Sequence, residues 1–485
     1  DSCSIDATHH RAESKTLLNL RSVPPLKLEP LSPRGTSINP YVHFSNIHSW
    51  VTISALYRDL LKPLLKPTGS VKRMALRWTA KVTPWSGESS DRARYENEAI
   101  TALYLNITQS TRYVGLEFGR HSFEPTSPDL TLQRQLGDCK DRAVLLMSLG
   151  ASLGIPLHFV MARTLSAGRL KPSSVASLSS FDHALVYSPT LNRYFDATLS
   201  HFDPQILPAP LHGAQALHVN GLIESTNSAI KPGLLVDIPS PKIPQVGVEI
   251  SLLMHTKDPR REIKSLGQET LTSELVSEIV PRGVFFILRG ERAMEIRREL
   301  DQVSPDDYDS RLKRYFPQLN HPQLSLNIDD QAESLSLLDP LVFYFSIDDS
   351  SSHPNDMLQE VMKINLSDRL SVISSTRKTP LLLPMSRQVR CLYTASSMSG
   401  NHPRAWYRSL QALIELQPRV THQWGEISYI ADGEQVNFKS GLCLELSLRA
   451  QIVSSTATQV LRDWVKTEET KLDASLMNMI LSIMP

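Results

Sequence analysis

Gly137-Asp138-Cys139-Lys140-Asp141-Arg142-Ala143 stands just ahead of an apolar run closed by Gly154-Ile155-Pro156, and its reading decides the fold. Gly137 permits a sharp turn, Asp138 is a good N-cap, and Val144, Leu146, Met147, Leu149 and Leu153 extend an apolar face. The spacing predicts a helix with Cys139 in its first turn. A thiol there lies at the positive end of the helix macrodipole, which favours the thiolate, the nucleophilic form. Cys139 is therefore a candidate nucleophile.

Toward the C-terminus, Phe181-Asp182-His183 is followed by Tyr194-Phe195-Asp196. Asp182 to Tyr187 and Arg193 to Thr198 read as two short strands joined through Ser188-Pro189-Thr190-Leu191-Asn192. With the turn centred between Pro189 and Thr190, His183 faces Asp196. Directly opposed side chains have Cβ atoms about 4.5–5.5 Å apart. A carboxylate at that position holds the imidazole by one nitrogen and leaves the other for a thiol. The pattern is that of a nucleophile, a base and an orienting acid.

Each residue also has an ordinary reading. A lone Cys at a helix start is commonly a small buried residue, and a single His at a strand edge is commonly polar surface. Asp196-Ala197-Thr198 is also compatible with a simple strand-ending turn. A metal site built from His183, Asp196 and His201 is a further alternative, weakened because only one histidine lies at strand spacing from the other two. The order and spacing of the three residues, more than any one of them, carry the catalytic reading.

The same segments, together with Arg112-Tyr113-Val114-Gly115-Leu116-Glu117-Phe118-Gly119, Leu153-Gly154-Ile155-Pro156, Phe181-Asp182-His183-Ala184 and Phe195-Asp196-Ala197-Thr198, closely resemble the transglutaminase-like proteins of bacteria. The subgroup they resemble has β-rich domains of unknown function on either side of a papain-like core. The resemblance covers roughly Ser45 to Gly221 well and the rest loosely. It implies an α+β fold: a papain-like transglutaminase core over residues 45–235, preceded by an extended Pro-rich segment (1–44) and followed by a C-terminal β-rich accessory domain with helical insertions (236–485). It also implies Cys139 as nucleophile, His183 as general base and Asp196 as its orienter. The subgroup usually carries a larger β domain ahead of the core, of which Val23-Pro24-Pro25-Leu26-Lys27-Leu28-Glu29-Pro30 looks like the tail. It often has Asp-Pro-Thr where this chain has Asp196-Ala197-Thr198.

Composition bounds the rest. A chain of 485 residues holds two or three domains, and 51 basic against 50 acidic residues give no global field for nucleic acid or an acidic membrane. Basic pairs such as Arg260-Arg261 and Arg297-Arg298 have acids nearby and read as solvated helix faces. No apolar run is long enough to span a bilayer, and Asp1-Ser2-Cys3-Ser4 does not read as a signal peptide. A periplasmic or exported bacterial protein, given without its leader, is compatible with both observations. The four cysteines, Cys3, Cys139, Cys391 and Cys443, are too widely spaced for a zinc motif or a disulfide framework. Cys443 alternates with apolar neighbours as on a half-buried strand, and a Cys391–Cys443 bridge stays open. No cofactor or metal is expected.

Along the chain, Trp50, Ile53, Tyr57, Leu60 and Leu61 mark an amphipathic helix begun by Ser49, and Ile100, Leu103, Tyr104 and Ile107 mark another. Leu165 to Ser180, rich in serine, reads as a loop that is either a lid over the thiol or a mobile surface connection. Prolines 232, 239, 241 and 244 indicate a domain boundary. Beyond it, Val246 to Leu253 and Leu335 to Ile347 read as strands, Arg289 to Leu300 and Tyr308 to Phe316 as helical, and Gln451 to Ser482 as a terminal helix. No repeat, phosphate loop or HExxH is present.

The function expected is that of a cysteine enzyme forming an acyl-enzyme on a peptide or glutamine carboxamide, resolved by water or by a second amine. The backbone N–H of Cys139 is the natural oxyanion donor, with a side chain from Gln109 to Tyr113 as the alternative. Its partners are then a protein or peptide substrate, and a protein partner through the C-terminal domain. The rival reading is a scaffold or peptide-binding module that keeps the fold without turnover.

Overall fold

A computed structural model describes residues 43–239 with breaks at 116–118, 172–173, 201–202 and 220–232, the strands and helices named below between residues 4 and 467, and a few residues beside them. The protein is α+β. Near its start, β1 (Ser4–His10) and β2 (Lys15–Arg21) form an antiparallel hairpin. Most of the remainder of the stretch 1–44, read from sequence as an extended Pro-rich segment, lies outside the described residues.

Five helices follow. In α1 (Trp50–Leu61), Ser49 Oγ accepts from Thr52 N, and Ile53, Tyr57 and Leu61, one turn apart, are buried. α2 (Gly69–Trp78) has no counterpart in the sequence reading. α3 (Ser89–Ser110) buries Ala99, Ile100, Leu103, Tyr104 and Ile107. α4 (Pro128–Arg134) begins with Pro at its first position, where the missing N–H costs nothing. α5 (Cys139–Ser152) is the central element: every residue from Lys140 to Gly150 is buried. Gly154, at φ +69°, ends it in the left-handed conformation, and Ile155 N returns to Gly150 O. A two-stranded parallel ladder of β3 (Arg112–Tyr113) and β4 (Leu136–Gly137) brings the end of α3 beside the start of α5.

α5 packs against a five-stranded antiparallel sheet of β5 (His158–Arg163), β6 (His183–Ser188), β7 (Arg193–Phe195), β8 (Gln215–Val219) and β9 (Leu235–Asp237), in the order β7-β6-β5-β8-β9. All six residues of β5 are buried because both faces of this strand are covered. Phe159 and Met161 join the core under the helices, with Ala143, Leu146 and Leu149. Val160 and Ala162 join a second cluster on the other face, with Leu185, Leu211 and Ile238.

An eight-stranded sheet follows in the chain: β10 (Gly247–Met254), β11 (Gly283–Arg289), β12 (Leu324–Ile328), β13 (Leu341–Ile347), β15 (Arg387–Ser396), β16 (Arg419–His422), β17 (Gly425–Glu434) and β18 (Lys439–Leu448). Its order is β12-β13-β11-β10-β15-β18-β17-β16, antiparallel except where β10 meets β15. α6 (Gly290–Leu300) and α7 (Tyr308–Tyr315) lie between β11 and β12 in sequence. β14 (Leu381–Leu383) pairs with β19 (Gln451–Val453), so the expected terminal helix begins only after a strand. Helical turns are described between 457 and 467, and the remainder of that stretch lies outside the described residues. Cys391 pairs with Leu444 and Cys443 with Leu392, and since successive strand positions alternate faces, this register does not set the two cysteines opposite each other. Among the described residues no helix is long and apolar enough to cross a membrane.

Candidate active site

The start of α5 is fixed from both sides. Asp138 accepts from the N–H groups of Lys140 and Asp141 at 3.2 and 3.3 Å, and Asp141 Oδ2 accepts from Asp138 N, a reciprocal capping box. Asp141 also accepts from Thr126 N at 2.6 Å, and burial raises its pKa. The Lys140 ammonium pairs with Asp138 in a buried contact. Gly137 serves by its size: a Cβ there would stand 3.0 Å from Asp141 Cβ and 3.2 Å from Thr131 Cγ2. Glycine thus relieves a tight contact at the cap, where the sequence suggested a turn. Cys139 is the first helical residue, half-buried and a free thiol.

His183 opens β6, and its Nε2 lies 2.9 Å from Asp196 Oδ2. The ladder that holds them differs from the sequence reading. Val186 pairs with Phe195, Tyr187 with Tyr194 and Ser188 with Arg193, so the turn is centred between Thr190 and Leu191. Ser188 belongs to the strand, Asn192 takes φ +48°, and Tyr187 Oη donates to Asn192 Oδ1. In this register Asp196 is a diagonal neighbour of His183, one residue past the end of β7. A shift of two residues leaves both on the same face, where a shift of one would have parted them. Asp196 Oδ1 accepts from Thr198 N at 3.0 Å and from Thr198 Oγ1 at 2.6 Å, which aims Oδ2 at the imidazole.

The charges on this pair follow from their surroundings. Burial alone would lower the pKa of His183, but the charge and hydrogen bond of Asp196, followed by the hydrogen bond and charge of Cys139, raise it well above the ordinary value. Burial would raise Asp196, and the charge and hydrogen bond of His183 with those of Thr198 hold it low. Both shifts favour the charged pair, an imidazolium beside a carboxylate.

Cys139 and His183 line one cleft of about 330 Å³ with Tyr57, Phe159 and Phe181 among its walls. Arg142, one turn along α5 from Cys139 and 2% exposed, ties the parts together. Its guanidinium donates to Ala197 O at 3.2 Å, to Thr198 O at 3.0 Å and to Thr111 O, and stacks over the Tyr113 ring at 5.7 Å. The residues next to Asp196 are thereby bound to the helix that carries Cys139. Sequence reading quoted Arg142 but gave it no role, because nothing local distinguishes a buried guanidinium from a solvated one. Tyr57, whose hydroxyl donates to Phe123 O at 2.8 Å, was read only as part of an apolar face.

Two expectations change. No residue of the 109–113 segment is among those lining the cleft, whereas Cys139 is. The serine-rich stretch after β5 is held at both ends. Arg163 donates to Ala167 O, Gly168 O and Ser180 O, and short 3₁₀ turns form at Leu165–Ala167 and Leu178–Ser180. Among the described residues no group of three or more His, Cys, Asp or Glu side chains could hold a metal, and His201 lies outside them.

No family model matches the chain, and no curated protein does. Solved structures similar to it include a proposed protease of Parabacteroides distasonis ATCC 8503, at 12% identity over 97% of this chain and 66% of that one, with a TM-score of 0.48. Another is a proposed cysteine protease of Cytophaga hutchinsonii, at 20% identity over 28% of this chain and 41% of that one, with a TM-score of 0.20. This chain spans less than two thirds of the length of either. At TM-scores below 0.5 neither likeness assigns a fold or an activity.

Proposed function

We propose that the protein is a papain-like, transglutaminase-like cysteine enzyme that forms an acyl-enzyme on a peptide or glutamine carboxamide. One observation carries the reading: a thiol at a helix N-terminus shares a cleft with an imidazole that a buried carboxylate holds at 2.9 Å. The Cys139 thiolate attacks the carbonyl carbon, forming the C–S bond and moving the carbonyl pair onto oxygen, which the Cys139 N–H is placed to receive. Collapse breaks the C–N bond as imidazolium His183 gives its Nδ1 proton to the departing amine. Neutral His183 then takes a proton from water or an incoming amine, the new acyl bond forms, and the thiolate leaves with its pair. Asp196 keeps the ring oriented through both halves.

The test is to trap the intermediate. Incubation with a mixture of peptides, acid quench and mass spectrometry of the Cys139-containing fragment is expected to show thioester adducts that hydroxylamine removes. Cys139→Ser should form none, and His183→Ala should slow their appearance by roughly 10²–10⁴-fold. Absence of any adduct or cleavage from a chain whose Cys139 still alkylates would favour the scaffold reading.

A further inference from the structure

We infer that, given the acyl-transfer reading, the enzyme selects substrates whose acyl part carries an aromatic or branched aliphatic side chain next to the attacked carbonyl. The cleft lining mixes two kinds of residue. Ser122, Asp138, Cys139, Lys140, Asp182 and His183 are polar, and Tyr57, Phe123, Phe159, Met161, Leu178 and Phe181 supply an apolar wall. The acyl part stays bonded to sulfur through the intermediate, so its side chain is the one this apolar wall holds.

The wall is preorganised. The Tyr57 and Phe159 rings stack at 5.1 Å, and the Phe181 ring sits edge-on to Trp50 at 5.6 Å. Phe181 N donates to Leu178 O, Asp182 N donates to Ala162 O, and Arg163 grips Ser180 O. No ordering of this segment is required when substrate enters, so its apolar surface is available for binding.

The charges in the cleft are already matched internally. Lys140 is paired with Asp138, His183 with Asp196, and Asp182 accepts from Thr164 N at 2.8 Å and from Thr164 Oγ1 at 2.6 Å. A charged substrate side chain would therefore displace an existing partner or lose its own hydration, whereas an apolar one loses nothing and buries area. At about 330 Å³ the cleft is at the small end of ligand pockets, roughly 300–1,000 Å³. It has room for one large side chain beside the carbonyl.

The test uses peptidyl chloromethyl ketones bearing Phe, Leu, Gly, Lys or Asp next to the ketone, with iodoacetamide in parallel. In each case the thiolate forms a C–S bond at the methylene carbon and the halide leaves, so both reagents report on Cys139 without turnover. The Phe and Leu reagents should alkylate Cys139 about 10-fold or more faster than the Gly and Lys reagents. Phe123→Lys, at a rim position, should narrow that preference and speed the Asp reagent, with an unchanged melting temperature as the check on folding. A flat panel on a protein whose Cys139 iodoacetamide still labels selectively would overturn the inference and leave the catalytic reading standing. Loss of selective iodoacetamide labelling as well would remove both. An unchanged panel in Phe123→Lys would contradict the assignment of selectivity to this wall.

Discussion

At the scale of single residues, the account rests on how Asp196 sets the state of His183. Asp196→Asn removes the charge that opposes burial, so His183, which titrates well above 6.5 in the intact protein, should fall toward or below that value. Selective ¹³C labelling of histidine and NMR titration, with His183→Gln to assign the signal, measures the change. The sign for stability follows from both shifts. The raised His183 pKa stabilises fully below 6.5 and is lost as pH rises through its folded value. The lowered Asp196 pKa stabilises above 3.8 and is lost as pH falls through its folded value. The helix start at Cys139 and the nearness of His183 and Asp196 were legible because helix-start chemistry and strand spacing are local signals. Their register differs by two from the one the turn residues suggest, because the left-handed Asn192 lets a four-residue turn close the hairpin, which Ser188-Pro189-Thr190-Leu191-Asn192 does not reveal. Arg142 was illegible as a clamp, since its three acceptors are backbone carbonyls distant in sequence. Arg142→Met should cost about 3 kcal/mol or more in urea denaturation, because those carbonyls lose their donor inside the protein.

At the scale of elements, the packing of α5 on the five-stranded sheet gives the thiol its fixed platform. Gly150 lies tight against the residue just ahead of β5: a Cβ there would lie 2.8 Å from Leu157 Cδ1, and Leu157 is fully buried. Gly150→Ala gains about 1 kcal/mol of helix propensity but forces Leu157 to move in a filled core, at a cost of roughly 1–3 kcal/mol. Net destabilisation, read as a lower urea midpoint with an unchanged slope, is the expected outcome. α1 and α5 could be read from their apolar residues and caps, and α3 from its apolar periodicity alone; Ser49 caps α1 as the sequence indicates. α2 could not, because its buried face is only Val71 and Ala75 amid charged residues, too little to stand out. The strand at Gln451–Val453 was missed for a similar reason: three residues carry no period, and only the partner Leu381–Leu383, far away in sequence, defines it.

At the scale of the whole molecule, the mixed α+β character was legible in the alternation of helical and strand-like runs. The eight-stranded order was not, since pairing β10 with β15 joins segments more than a hundred residues apart. Behind the five-stranded sheet, His158 and His218 are 3% and 0% exposed, and burial lowers both, His218 to about 3. Tyr187 and Tyr194 are the titratable rings against them. A histidine with a depressed folded pKa binds its proton only when the chain unfolds, so stability should fall as pH drops below about 6.5, by up to about 1.4 kcal/mol per pH unit for each. Melting temperatures from pH 7 to 5 would show the slope, and His158→Leu should reduce it. The central claim, that thiol, imidazole and carboxylate act as one unit, is tested most directly by iodoacetamide alkylation at pH 6, followed at each of the four cysteines by mass spectrometry. Cys139 is predicted to react faster in the native protein than in the denatured chain, and to lose that advantage in His183→Ala. Equal rates in native and denatured protein, unaffected by His183→Ala, would contradict it.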